Sequence, residues 1–153
     1  MSSYELLLFV HVLAAVVWVG GALSLQVLAV RAERSEDGGR MASFATEAEW
    51  VGSRVFLPAS IVLLLAGIGL TLEGGYGFTT PWVLVGLIAY GLSALTGSLF
   101  LGPESGRIGK LIADVGPQDL DVIARIKRVF LVSRIELVVL LFIVFDMTVK
   151  PGS

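Results

Sequence analysis

The chain contains no cysteine and a single histidine among its 153 residues. Disulfides, thiolate metal sites and a cysteine nucleophile are therefore excluded in any compartment. One histidine also rules out an all-histidine metal site with three ligands. Charge is scarce as well: 11 basic and 13 acidic residues give a formal net charge of −2. That near-neutral balance offers no phosphate-binding surface, so nucleic acid is not an expected partner. No Asp, Glu, Lys or Arg occurs between Leu6 and Val30, between Val55 and Leu72, or between Gly74 and Pro103. A soluble fold of this length has too little interior to hide such runs. A soluble enzyme is thereby excluded.

Hydrophobic residues make up 56% of the chain and are concentrated in four runs, at about 6–30, 55–72, 82–101 and 129–149. The first would extend roughly 37 Å as a helix, enough to cross a ~30 Å hydrocarbon core with some tilt. It lacks a basic leader and exceeds a secretory h-region in length, so it reads as a retained helix. Thr79, Thr80 and Pro81 open the third run as a cap and first turn, and Gly102-Pro103 is expected to close it. The fourth contains Arg134, Glu136 and Asp146, and Arg134 can snorkel to the near interface. Outer-membrane strands alternate in and out. Residues 61–65 and 137–145 are apolar without alternation, which excludes a barrel. The expected fold class is an all-α membrane protein, a four-transmembrane-helix bundle forming one domain over residues 1–153.

Basic residues orient it. The first connection holds Arg31, Arg34, Arg40 and Arg54, and the third holds Arg107, Lys110, Arg125, Lys127 and Arg128. The second connection has none, and the C-terminal tail has Lys150 alone. The positive-inside rule then puts connections one and three in the cytoplasm and both termini outside, the arrangement of a multi-pass protein of the bacterial inner membrane. Both cytoplasmic connections carry amphipathic segments. Met41, Phe44, Ala45, Ala48 and Val51 make a stripe that suits a short interfacial helix or an extension of span two. Pro117, Asp119 and Asp121 suit a helix start, followed by a face of Val122, Ile126, Val129 and Ser133. Gly106, Gly109 and Gly116 make the intervening stretch pliable. No full internal repeat is visible.

Few residues could carry chemistry. His11 lies about 7.5 Å below the outer boundary, where an imidazole should not face lipid. It could be a haem or metal ligand or a proton relay, or simply a polar residue bonded to a neighbouring helix. Asp146 has a similar depth and could accept the ring proton of His11, and its neighbour Met147 could supply a soft ligand. Trp18, Gly20 and Gly21 lie on the same helix and could border a flat cofactor, although glycines also make ordinary packing faces. At the inner side Arg54, Arg134 and Glu136 form a polar cluster, with Arg54 the expected partner of Glu136. No catalytic set is assembled by these residues.

The segment from His11 to Gly21, His-x6-Trp-x-Gly-Gly, resembles the opening helix of a bacterial family of predicted integral membrane proteins, domain of unknown function 2269. More distantly it is similar to the first helices of the copper-resistance CopD and protoporphyrinogen-oxidase HemJ groups. Arg54 and Pro58 early in span two, and Gly67 and Gly69 late in it, extend the resemblance. The HemJ likeness implies haem b on a first-helix histidine, here His11, together with a lysine inside a later helix. This chain has no such lysine: Lys110, Lys127 and Lys150 lie outside the apolar runs. The CopD likeness implies copper movement. Three functions follow as expectations. The first is a small non-catalytic accessory or assembly protein that packs with lipid, with itself or with another membrane protein. The second is a haem- or metal-binding protein using His11, and the third is a small oligomeric transporter or channel.

Overall fold

The computed structural model describes residues 2–152, and among them there is no strand. Four long helices account for nearly all of them: α1 (Ser3–Arg34), α2 (Gly38–Glu73), α3 (Pro81–Val115) and α4 (Leu120–Val149). The first three are long and apolar enough to cross a membrane. Helix α4 has 30 residues, two fewer than α1, and Arg134, Glu136 and Asp146 interrupt its apolar run. Both ends of the described chain and the 74–80 connection lie at one end of the molecule, called here the terminal end. The connections 35–37 and 116–119 lie at the other, the basic end.

Helix starts follow their local chemistry. The Ser2 hydroxyl accepts from the Glu5 amide at 3.2 Å while the Ser2 amide donates to Glu5 Oε2 at 2.8 Å, a complete capping box. Asp37 caps α2 by accepting from the Gly39 amide at 2.9 Å. Asp119 caps α4 through the Asp121 amide, so α4 begins three residues beyond Pro117. Pro81 occupies the first turn of α3 behind Thr80, where its missing N–H costs nothing.

One expected boundary is corrected and one open choice is decided. Helix α3 does not close at Gly102-Pro103 but runs on to Val115. Of the two readings of the stripe from Met41 to Val51 the extension of span two holds, because the stripe is part of the continuous helix α2. The cause is the same in both helices. An interior proline loses a ladder bond and crowds the carbonyl four residues back. Residues 52–56 and 97–101 each form a π turn directly ahead of the proline, and the amides of Leu57 and Gly102 reach back five residues to the carbonyls of Gly52 and Gly97. Each wide turn absorbs the irregularity, and the helix continues. The sequence there is Gly-Ser-x4-Pro twice, Gly52 to Pro58 and Gly97 to Pro103, a local repeat of physical origin. A third π turn at 16–20 of α1 holds Trp18.

These continuous helices make two different halves. At the basic end Ala29, Ala32, Met41, Ala42, Ile108, Val122, Ile126 and Phe130 form one core drawn from all four helices. Glu104, 5% exposed, is bridged there to Arg125 at 2.9 Å and to Arg107 at 3.4 Å. The bonds to Asp121 and then to Glu104 push the Arg125 pKa above its ordinary value. Gly38 allows the two basic connections to touch, since a Cβ there would strike the Pro117 carbonyl. Its amide donates to Gln118 Oε1, and Gln118 Nε2 donates to Asp37. In the terminal half α1 packs along α2 and α3 along α4. Approach between these two pairs is concentrated from mid-height toward the basic end. The pairs are splayed, and a cleft lies between them.

Candidate functional site

The cleft has a volume of about 560 Å³ and takes lining residues from all four helices. That is within the ~300–1,000 Å³ range of small-molecule and cofactor sites. Its floor is aromatic. Trp18 meets Tyr90 edge to face at a centroid distance of 5.8 Å, and the Tyr90 hydroxyl donates to the Ser60 carbonyl at 3.2 Å. Its mouth is also aromatic, with Tyr76 and Trp82 edge to face at 5.1 Å. Lys150 Nζ stands 4.9 Å from the Trp82 ring centroid and 5.5 Å from that of Tyr76. Along α3 the wall from Trp82 to Tyr90 rises roughly 12 Å.

His11 lines this cleft, and its setting is explicit. Nδ1 lies 2.9 Å from the Leu63 carbonyl oxygen. A carbonyl can only accept, so Nδ1 carries the proton and, in the neutral ring, Nε2 is left as a bare lone pair. The Leu63 carbonyl is reachable because the residue one turn further along α2 is Gly67. A Cβ there would lie 3.1 Å from His11 Cε1 and 3.3 Å from Nδ1. Gly67 thus makes room for the imidazole and exposes its acceptor. Such an anchored ring presents one unprotonated nitrogen in a fixed orientation, the state required of a metal or haem ligand.

The remaining sequence candidates separate. Trp18, Gly20 and Met147 line the cleft with His11. Gly21 does not: the Phe56 ring of α2 packs where its side chain would be. Asp146 is 2% exposed and turned toward Gly86 of α3. The acceptor of the His11 ring proton is therefore the Leu63 carbonyl and not the expected Asp146, because α1 packs on α2 while Asp146 lies in the α3–α4 seam. The Met147 methyl fills the space left by Gly86.

The inner cluster also resolves differently from expectation. Arg134 pairs with Glu33 of α1. Glu136 turns toward the buried Ser93 of α3, and Arg54 is exposed without an ion pair among the described residues. Beside these groups Gln26 Nε2 donates to the Ser133 hydroxyl at 2.6 Å. Sequence reasoning missed Leu63, Gly67, Tyr90, Trp82 and Lys150 as parts of one site. The four-residue spacing from Leu63 to Gly67 was the available signal.

Helices of this length and apolarity define an integral membrane protein. The chain belongs to the family described as predicted integral membrane protein (DUF2269), whose profile matches residues 5–151. No curated protein and no solved structure matches the chain. The more distant likeness to the CopD and HemJ groups is carried by no match.

Proposed function

We propose that the chain is a non-catalytic accessory protein of the bacterial inner membrane, one domain of four spanning helices, that holds a haem-class cofactor in its cleft through His11. The observation that carries this reading is the Nδ1 bond to the Leu63 carbonyl, which commits Nε2 to accepting. Bound there, haem b would supply redox or ligand-binding chemistry at its iron. His11 would hold the iron, Met147, which lines the same space, would be the available soft donor, and Lys150 at the mouth would be the cation available to a propionate. An apolar cleft with one lone-pair nitrogen and a thioether suits that group.

Counting α4 as the fourth span is supported by where its charges go. Arg134 meets Glu33, Glu136 turns to Ser93, and Asp146 faces α3. Ionisable groups inside a membrane face protein in this way. The basic end takes the cytoplasmic side by its arginines and lysines, leaving both termini and the cleft mouth outside. Lipid, a second copy or another membrane protein covers the apolar exterior. The Trp18–Tyr90 floor separates the cleft from the Gln26–Ser133 layer, so transport would need a route between copies. This favours binding over a channel.

The test is an optical spectrum of the purified protein, oxidised and reduced, after haem-replete expression. A Soret band is expected in the wild type and not in His11→Ala. Gly67→Ala, which crowds the ring off its carbonyl, should shift or weaken the band while the helices remain folded. A colourless wild-type protein would return His11 to a structural role and leave the accessory reading without a cofactor.

A further inference from the structure

The mouth of the cleft is chemically distinct from its floor. Trp82 is 7% exposed, and its Nε1–H, which can only donate, has no hydrogen-bond partner. A buried donor left unpaired costs about 1–3 kcal/mol, which an acceptor brought to it would recover. On the same side chain's ring face stands Lys150, also a donor only, with its ammonium over the Trp82 and Tyr76 rings. No ion pair of Lys150 exists among the described residues. Lys150 ends α4 in the left-handed region, φ 49° and ψ 60°, a conformation usually given to glycine. A lysine held there, with its side chain over the mouth, is an outlier of the kind that accompanies binding sites.

The side of the cleft has its own character. Leu8, Val12 and Val16 of α1 and Val144 of α4 line it, yet they are 43%, 51%, 63% and 42% exposed. The cleft is therefore open between α1 and α4, at the depth of the apolar runs. An occupant reaches it sideways from the bilayer, with an apolar body. Asp146, the carboxylate nearest this end of α4, lies in the α3–α4 seam and does not line the cleft.

We propose that the cleft is a site for an anionic amphiphile from the membrane, its carboxylate or phosphate head bound by Lys150 and the Trp82 indole N–H, its apolar body entering between α1 and α4. This goes beyond the haem reading of the same cleft: a lipid and a haem would compete for the space and for Lys150, and the head-group argument does not use His11.

The probe is stearate carrying a nitroxide in mid-chain, titrated into the full-length protein in neutral detergent. Quenching of Trp18 and Trp82 reports occupancy, and the exposed Trp50 is the reference outside the cleft. Saturable quenching is expected, with the uncharged methyl ester binding about tenfold more weakly, equivalent to about 1.4 kcal/mol. Lys150→Gln should bring stearate to the level of its ester, Lys150→Arg should restore the preference, and Lys127→Gln, at the other end of the molecule, should not change it. Trp82→Phe should weaken stearate binding with Trp18 still reporting. A lysophosphatidic acid bearing the same label forms the second arm. Preference for it over stearate assigns a phosphate-headed lipid, and the reverse assigns a free carboxylate. Equal binding of charged and uncharged probes, or an unchanged preference in Lys150→Gln, would overturn the proposal. A colourless wild type overturns only the His11 reading, because charge selectivity at the mouth does not depend on a metal.

Discussion

At the basic end Met41, Val122 and Ile126 are at most 1% exposed, whereas in the terminal half Val12 and Val16 are more than half exposed, although all five residues are apolar. The same helices contribute to both regions. On the proposed placement, with the basic end beyond the bilayer, the difference follows from the solvent each half meets. Burying apolar surface from water is favourable by roughly 25 cal/mol per Å², so segments beyond the bilayer collapse onto a shared core. Among lipid tails that drive vanishes, and helices associate through close packing and polar contacts instead. Where packing is not extended across the gap, as between the α1–α2 and α3–α4 pairs, a cleft persists without the penalty it would carry in water. The open region is where binding is proposed, and the closed region holds the pairs together below it.

Three substitutions sharpen that contrast. The largest effect is expected for Ile126→Ala, fully buried among helices at the basic end. It should cost about 2–5 kcal/mol, the range for large-to-small changes in tight cores, measured as a fall in the denaturant midpoint in detergent. Gly38→Ala should cost less, about 1–3 kcal/mol, since the added methyl meets the Pro117 backbone and must part the two basic connections. Faster proteolysis at residues 35–37 would report it. Val16→Ala on the cleft wall should stay within about 0.5 kcal/mol. If Val16→Ala proved as costly as Ile126→Ala, the two halves would be packed alike and the cleft would not be a relaxed feature.

Much of the architecture was legible along the chain. The charge-free runs announced the spanning segments, because a helix in lipid satisfies its own backbone and needs only apolar side chains outside. Val122 and Ile126 were legible as one face because their four-residue spacing places them one turn apart. Helix α3 was misjudged at Gly102-Pro103, since proline normally stops a ladder and only the wide turn at 97–101 shows how this one was carried through. Arg54 was misjudged as the partner of Glu136: it is exposed and forms no ion pair among the described residues.

The sequence by itself determined the helical class, the apolar segments, the basic end and the one imidazole that could bind a ligand. Those properties are local, set by periodicity, composition and the cost of charge in hydrocarbon. Only the tertiary structure decided that His11 would find the Leu63 carbonyl over Gly67, that Asp146 would turn away into the α3–α4 seam, and that Lys150 would close over Trp82. Each depends on which helices are neighbours and how they are rotated. Along four apolar runs of similar composition, that choice is made by small steric differences between facing surfaces, which exist only once the helices are packed.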